Sequence, residues 1–455
     1  VKSAAEIDGE RFDVIVIGTG SAGKPLAGEL ARAGRRVLAV ERHRFGGECA
    51  YVACVPSKSM LVSARQHRAH PAAPDAEAFR TAVAVRDKTV WHREDLHAAK
   101  GMLDDGVVLV RADATFSPGE VHLDHEATVR WNDALVLATG ADAVIPPIEG
   151  LTKDAPGVWT SDVALSSDEL PARLTILGGG AIGCELAEVY ASFGCRVTLL
   201  ESAPNLLPRE QPWLGETLAQ ALRDIGVDVR TGTELTKVEG LRLTTRNGTE
   251  DTDRLLVAVG KKPVTTGFEA LGLDPDNLTV DARMRVKGSR DIFAVGDLTA
   301  INPYTHGANY QARIVAAELL GRGRDADHSG TPRVVYTDPT VLAVGETEKT
   351  AADHHVRTST ARSDATGTTR AAVERTVNPD DHRPAAIELI ADADTGVLIG
   401  AAAIGPEADS WAAELALAVR AGVTVQALAD QPHAFPSWAE AITAPAQELA
   451  AALRE

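Results

Sequence analysis

An α/β fold with two similar strand–helix–strand units, closed by a C-terminal α+β domain, is what this sequence predicts. Three observations carry that expectation. A strand, a glycine turn, a helix and a second strand ending in an acid run through "FDVIVIGTGSAGKPLAGELARAGRRVLAVER". The same series returns in "LTILGGGAIGCELAEVYASFGCRVTLLES". From about residue 330 the character changes. "VVYTDPTVLAVGETE" and "AAIELIADADTGVLIGAAAIG" have the look of antiparallel strands, and "SWAAELALAVRAG" that of a helix.

In the first unit Val14 to Ile17 form a buried apolar run, and Gly18, Gly20 and Gly23 follow at G-x-G-x-x-G spacing. Leu26, Leu30 and Ala33 recur at helical intervals, and Val37 to Val40 form the next strand, ending in Glu41. Each part has a physical task. The glycines let backbone approach a pyrophosphate, the helix N-terminus offers unpaired N–H groups, and Glu41 accepts ribose hydroxyls. Glycine spacing alone is a weak signal; its strand–turn–helix–strand–acid context makes this a Rossmann-like dinucleotide-binding unit. The second unit holds Gly178, Gly180 and Gly183, a helix, a strand and Glu201. Both copies keep three glycines and the terminal acid, so two bound dinucleotides are expected rather than one working site and one silent duplicate.

Further strands close these domains. "DALVLATGADAVIPP" ends its strand at Thr139–Gly140, and "DRLLVAVGKKP" is its counterpart, ending at Gly260. "RDIFAVGDLT" ends in Gly296–Asp297, ahead of a helix expected from about His306. An acid at that place suits a polyhydroxyl ligand such as a ribityl chain, and is equally compatible with a plain helix cap. Residues 350–384, rich in Ala, Thr, Asp, His and Arg without periodicity, are expected to be mostly surface loops around one or two edge strands. His354–His355 is expected to be solvated rather than metal-binding.

The totals exclude several classes of function. The chain has 455 residues, 44% hydrophobic and 24% charged, ordinary values for a globular protein of several domains. Its net charge of −18 repels phosphate backbones, so no nucleic-acid partner is expected. No apolar run is long enough to span a bilayer. The N-terminal "VKSAAEIDGERFD" lacks the apolar core of a secretory signal, so a cytoplasmic location without membrane partners is expected. Four cysteines in such a chain do not make a stapled scaffold, and a disulfide here is expected to be catalytic.

Two of those cysteines lie in "GGECAYVACVPSKSML". On a regular helix Cys49 and Cys54 would stand about 140° apart, with Cα atoms about 8–9 Å from one another. A disulfide wants about 4.4–6.8 Å, so a bonded pair requires a distorted backbone. Gly46–Gly47 before the pair and Pro56 after it permit such distortion. A zinc site would need two more ligands, and Cys184 and Cys195 lack the spacing to supply them. From the stretch itself, a redox pair and a pair of inert core thiols both remain open.

In order along nearly the whole chain, the nucleotide units, "GGECAYVACVPSK", "ATG", "AVGD" and "VVYTDPTVLAVG" resemble the flavoprotein disulfide reductases, the pyridine nucleotide–disulfide oxidoreductase family. The resemblance implies a redox-active Cys49–Cys54 disulfide. It implies FAD in the first unit at Gly18, Gly20, Gly23, Glu41, Ala114, Thr139, Gly140 and Asp297. A nicotinamide nucleotide is implied in the second, at Gly178, Gly180, Gly183, Glu201 and Gly260. Lys58 and Glu185 match the pair beside the reactive edge of the flavin, where an ammonium stabilises developing negative charge. Cys54 would be the flavin-facing thiol and Cys49 the interchange thiol. Glu201 favours NAD(H) over NADP(H), because a carboxylate accepts a 2′-hydroxyl and repels a 2′-phosphate; Arg209, eight residues on, is too far for the usual phosphate grip. The resemblance also implies an FAD domain split over 1–150 and 265–328, an NAD(P) domain at 151–264 and a dimerisation domain at 329–455. Cys184 and Cys195 are expected to be buried and inert, their helix facing the sheet.

The pattern breaks at one place. Members that reduce disulfides carry H-P-x-x-x-E near the C-terminus, supplied across a homodimer interface, with His as the base toward the interchange thiol. This chain reads "QPHAFPSWAEAI": Pro436 and Glu440 keep their places, and Phe435 stands where the base belongs. His433 is the nearest substitute, although the family often has a histidine there as well as the base. Three enzymatic readings follow. One is a reductase whose small-molecule electron acceptor needs no thiol protonation, such as a quinone or metal ion; mercuric reductases also lack this His but add C-terminal cysteines, and none follows Cys195 here. Another is a thioether-cleaving or carboxylating enzyme, one branch of which has Phe at the base position but His where this chain has Glu440. The last is a lipoamide dehydrogenase-like reductase of a small disulfide working through His433, water or Glu440. A flavin-binding protein without turnover would predict erosion at the cysteines or at Lys58, and all three are present.

Overall fold

The computed structural model describes residues 1–71 and 74–453. The chain forms two compact units. One comprises Val1–Pro56, Val85–Val144 and Lys261–His328; the other comprises Ser57–Ala84, Ile145–Gly260 and the chain from Ser329.

The first unit is built on strand Arg11–Ile17, which pairs in parallel with Val37–Glu41 on one side and Ala127–Leu137 on the other. Val108–Arg111 and Ile292–Ala294 extend this parallel sheet at its two ends. An antiparallel hairpin, Ala114–Ser117 with Glu120–Leu123, continues from the start of Ala127–Leu137. Val14, Val16, Leu26, Leu30, Val136 and Ile314 pack on one face, and Phe12, Ile15, Leu38, Leu135 and Phe268 on the other. Burial on both faces is why Val14–Ile17 reads as an unbroken apolar run rather than an alternating one. The helix Gly23–Arg32 starts so close to the turn that a Cβ on Gly23 would stand 1.9 Å from the Gly18 carbonyl oxygen. Only glycine fits there.

The second unit repeats the device. Its parallel sheet runs Asp228–Arg230, Arg196–Leu200, Arg173–Leu177, Arg254–Val257, Val158–Trp159. A Cβ on Gly183 would again stand 1.9 Å from a carbonyl oxygen, that of Gly178. The unit also holds a three-stranded antiparallel sheet, Leu235–Glu239, Arg242–Thr245, Gly248–Asp251, and a five-stranded antiparallel sheet in the order Arg333–Val335, Thr340–Gly345, Leu398–Gly405, Ala386–Asp392, Thr358–Asp364. Helices Ala413–Ala421, Val425–Asp430 and Thr443–Ala452 share its core of Leu342, Ile387, Leu389, Leu398, Leu415 and Ile442. Val341, Ala402 and Ile404, from the same sheet, join the core of the nucleotide-type part instead. The sheet is therefore buried on both faces.

Two expectations need adjusting. Residues 350–384 are more ordered than their composition implies. Thr358–Asp364 is the expected edge strand, but helices Glu348–Asp353 and Thr369–Val377 flank it. Both are largely polar and short, so no apolar stripe announces them. Threonine caps open them instead: Thr347 and Thr350 cap reciprocally, and Thr368 Oγ1 accepts the Ala371 N–H. The second adjustment is at Asp297, which sits in a 3-10 turn, Gly296–Thr299; the following α-helix, Thr305–Leu319, opens one residue before the expected start. Among the described residues no helix is long and apolar enough to cross a membrane.

Candidate active site

The cysteine pair lies in the first unit, at the mouth of a helix. Cys49 is in a run of turns, Cys54 is the first residue of the helix Cys54–Ala69, and the Val55 N–H donates to the Cys49 carbonyl at 3.0 Å. The turn run provides the distortion that a regular helix lacks. Gly46 and Gly47, at φ +102° and +71°, make it possible, and a Cβ on Gly47 would lie 2.5 Å from the Gly20 Cα. The cysteine loop is thus pressed against the first glycine turn.

The two cysteines stand as thiols. The Thr305 hydroxyl donates to Cys49 Sγ at 3.0 Å and lies 3.5 Å from Cys54 Sγ. The Cys49 thiol is pulled down to about 6: hydrogen bonds from Cys54, Thr305 and Ser21 outweigh the upward push of burial. Glu48, beside Cys49, pairs with Lys261 at 2.6 Å. Burial pushes the Asp297 carboxyl up, and Lys261 partly offsets that.

Around this loop stand the other residues expected to hold FAD. Glu41 closes the second strand and accepts the Thr19 N–H and hydroxyl, both at 2.9 Å, and the His43 N–H at 2.9 Å. Ala114 opens the hairpin strand two residues after Ala112, whose N–H donates to the Glu41 carbonyl. Thr139 donates to the Val264 carbonyl at 2.7 Å, and the Val264 N–H donates back to the Gly140 carbonyl at 3.0 Å. A Cβ on Gly140 would meet nothing within 4 Å, and one on Gly20 would meet only the Gly47 Cα at 3.8 Å, which leaves room at the turn. Open glycine backbone, a helix N-terminus and a strand-end carboxylate fit a dinucleotide.

Lys58 and Glu185 come together in the second unit. Lys58 Nζ donates to both Glu185 oxygens, at 3.0 and 2.8 Å. The Tyr336 N–H and the Ser57 hydroxyl also donate to that carboxylate, at 3.0 and 3.3 Å. The Tyr336 ring lies under the ammonium, 4.6 Å from Nζ to its centroid. Lys58 follows Cys54 by one turn of the same helix. In the second glycine turn the Gly179 N–H donates to Glu201 at 2.7 Å, as Thr19 does to Glu41. A Cβ on Gly180 or on Gly260 (φ +128°) would meet nothing within 4 Å.

The C-terminal segment is also in this unit. Phe435 is 74% exposed. His433 is almost buried and engaged on both sides, with Nε2 2.8 Å from Glu414 Oε1 and Nδ1 3.0 Å from Thr443 Oγ1. Glu440 accepts the Ser437 N–H at 2.7 Å in a reciprocal cap. Both ring nitrogens of His433 are thus engaged, whereas Glu440 uses one carboxylate oxygen in the cap.

The remaining thiols are buried, as expected. Cys184 is buried within the Ala181–Ser192 helix, and burial raises its pKa strongly; Cys195, just past that helix, is pushed up to about 12. Each is almost wholly protonated at pH 7. Reduced native protein treated with iodoacetamide at pH 7 is expected to label Cys49 first. Peptide mass spectrometry should find Cys184 and Cys195 unmodified until the protein is unfolded.

Residues 12–318 match the family described as pyridine nucleotide-disulphide oxidoreductase, and residues 331–446 match its dimerisation domain. The chain belongs to this family. Mercuric reductase of Acidithiobacillus ferrooxidans is 33% identical, over 97% of this chain and 83% of that protein. The probable pyridine nucleotide-disulfide oxidoreductase RclA of Escherichia coli is 30% identical, over 95% and 98%. Dihydrolipoyl dehydrogenase of Thermus scotoductus is 31% identical, over 96% and 97%. A structure of RclA, titled an HOCl-induced flavoprotein disulfide reductase, superposes with a TM-score of 0.83 at 29% identity, over 96% and 99%. A Cu(II) complex of the same protein gives 0.83 at 28% identity, over 96% and 99%. As a member, the chain is an FAD-dependent NAD(P)H oxidoreductase, and its fold class is the one expected from sequence.

Sequence reasoning passed over four residues that this geometry brings in: Ser21, Thr305 and Tyr336, beside the reactive groups, and Lys261, paired to Glu48. Ser21 lies inside the glycine motif and Tyr336 inside "VVYTDP", so their places were in view but not their targets. Thr305 and Lys261 had no local signal.

Proposed function

We propose that the protein passes electrons from NADH, by way of FAD, to the Cys49–Cys54 pair and from that pair to a thiophilic metal ion. The observation that carries this reading is the cysteine pair itself. Hydrogen bonds from its neighbours in the first unit pull the Cys49 thiol down to about 6, while Phe435 stands at the sequence position of the family's base. An acceptor that binds to sulfur needs thiolates and no proton relay, and two soft sulfur ligands suit copper or mercury better than hard cations. The relatives point the same way: a mercuric reductase, and RclA, which has been determined as a Cu(II) complex. FAD, when bound, supplies the two-electron relay between nicotinamide and sulfur.

The protein's own residues hold and orient. Lys58, fixed by Glu185 and Tyr336, offers positive charge to the flavin edge. Glu201, turned into the second glycine turn, accepts a ribose 2′-hydroxyl and opposes a 2′-phosphate, so NADH is the preferred donor. Because Phe435 and Glu440 fall inside the dimerisation segment, a second copy of the chain completes the site with an aromatic ring.

The test is anaerobic NADH oxidation with lipoamide, Cu(II) or Hg(II) as acceptor, repeated with NADPH. Wild type is expected to reduce a metal ion and to turn over lipoamide poorly, and Phe435→His is expected to raise lipoamide turnover by about 10²–10³-fold, the usual contribution of a placed base. Brisk lipoamide turnover by wild type would overturn the reading.

A further inference from the structure

Tyr51 stands between the two cysteines, in the run of turns that leads to the helix Cys54–Ala69. Its neighbours in that run are at least partly open to solvent, whereas Tyr51 is 2% exposed. Its hydroxyl donates to the Phe45 carbonyl at 3.1 Å, back across Gly46 and Gly47. Burial and the Asp95 charge push the Tyr51 phenol up, against Arg44, so the hydroxyl stays a donor. The far end of this strut is anchored. The Phe45 N–H donates to Asp95 at 2.8 Å, and the Arg111 guanidinium lies over the Phe45 ring, 4.5 Å from its centroid. The near end is held by the main chain, where the Tyr51 N–H donates to the Glu48 carbonyl at 3.0 Å. Between the two ends lie the two glycines, the backbone with the most freedom to lose. A Cβ on Gly46 would meet the Tyr51 ring and hydroxyl at 3.3 Å, so the side chain packs directly on that backbone.

We propose that Tyr51 is a positioning residue for the redox pair: by bracing residues 45–51 it holds the dithiol in the loop shape that the disulfide needs, and so shifts the pair toward the disulfide. The sign follows from what each state leaves free. Oxidation removes two electrons and two protons from the thiols, and the new S–S bond restricts the loop between Cys49 and Cys54 by itself. In the dithiol only non-covalent contacts restrict it. Freedom that the strut has already removed from the dithiol is not lost again when the bond forms. Without the hydroxyl the reduced loop gains freedom that the oxidised loop cannot gain, and reduction becomes easier.

The role rests on the pair cycling between dithiol and disulfide, and not on which acceptor it serves. Holoenzyme is equilibrated anaerobically in buffers of graded oxidised-to-reduced dithiothreitol, which gives two electrons and two protons to the pair and closes to its own cyclic disulfide. After acid quenching and alkylation, peptide mass spectrometry reads the dithiol fraction at Cys49 and Cys54. Tyr51→Phe is expected to lower the equilibrium constant for disulfide formation by about three- to tenfold, tenfold being about 30 mV for a two-electron couple. Tyr310→Phe removes another buried tyrosine hydroxyl of the same unit, the one that accepts the Asp327 N–H, and is expected to leave the constant unchanged. Hydrogen exchange of residues 46–52 in wild type is the second readout. The rates are expected to be similar in the dithiol and disulfide forms, and to rise about tenfold in the dithiol form of Tyr51→Phe. An unchanged constant in a Tyr51→Phe that keeps its flavin would overturn the proposal. So would a wild-type loop whose exchange rises about a hundredfold on reduction, since no strut would then be holding it. Absence of any Cys49–Cys54 disulfide in wild type would overturn the redox pair and this role together.

Discussion

Cys54→Ser is expected to lower NADH-dependent acceptor reduction by about 10³-fold or more, while NADH still bleaches the bound flavin. A loss of that size corresponds to about 4 kcal/mol of transition-state stabilisation. The reason lies in the pair. A lone Cys49 thiolate cannot close a disulfide when it gives up electrons, so the two-electron path ends. Serine keeps a hydrogen-bond donor beside Thr305 and Cys49, so the loss reports missing sulfur rather than a collapsed loop. Stopped-flow absorbance separates the two halves: rapid flavin reduction with no onward turnover is the expected trace. Undiminished turnover in Cys54→Ser would mean that the acceptor takes electrons elsewhere.

Glu188→Ala is expected to be the most destabilising single change in the second unit, by about 3–5 kcal/mol. Glu188 lies on the helix that carries Glu185 and is fully buried. Arg68 Nη1 reaches it at 3.1 Å, Arg65 Nε stands 3.6 Å away, and the Asp338 N–H donates to it at 2.7 Å. Burial pushes this carboxyl up while the two guanidiniums pull it down. Alanine would leave the Asp338 N–H and Arg65 Nε facing a void, while Arg68 keeps Asp338 and Ser192, so the penalty comes from the stranded N–H groups as well as from the lost pair. Arg65 and Arg68 share a helix with Lys58, so the same change should also loosen the Lys58–Glu185 contact one turn away. Urea unfolding followed by circular dichroism measures the first effect. A loss below about 1 kcal/mol would mean that solvent rescues the stranded groups.

How far the site was legible depended on whether its parts were neighbours in sequence. Gly18, Gly20, Gly23 and Glu41, and their counterparts ending in Glu201, each lie within one strand–turn–helix–strand stretch, so spacing in that context was enough to predict a dinucleotide site. Cys49 and Cys54 were legible as a pair, but their protonation was not, because Thr305 arrives from another helix more than 250 residues later. His433 was the nearest substitute for a base when read in sequence, and only the structure shows both of its ring nitrogens in hydrogen bonds, to Thr443 and Glu414. The helices Glu348–Asp353 and Thr369–Val377 escaped notice because caps rather than apolar stripes define them.

By itself the sequence determined the two nucleotide units, the cysteine pair and the missing base. Each is written in short-range spacing, where chain geometry leaves few alternatives. Only the tertiary structure decided what surrounds the two thiols, what holds Lys58, and which carboxylates and imidazoles are already engaged. Those questions turn on distances of about 3 Å between groups far apart in the chain, and hydrogen bonding at that range is fixed by packing rather than by sequence order.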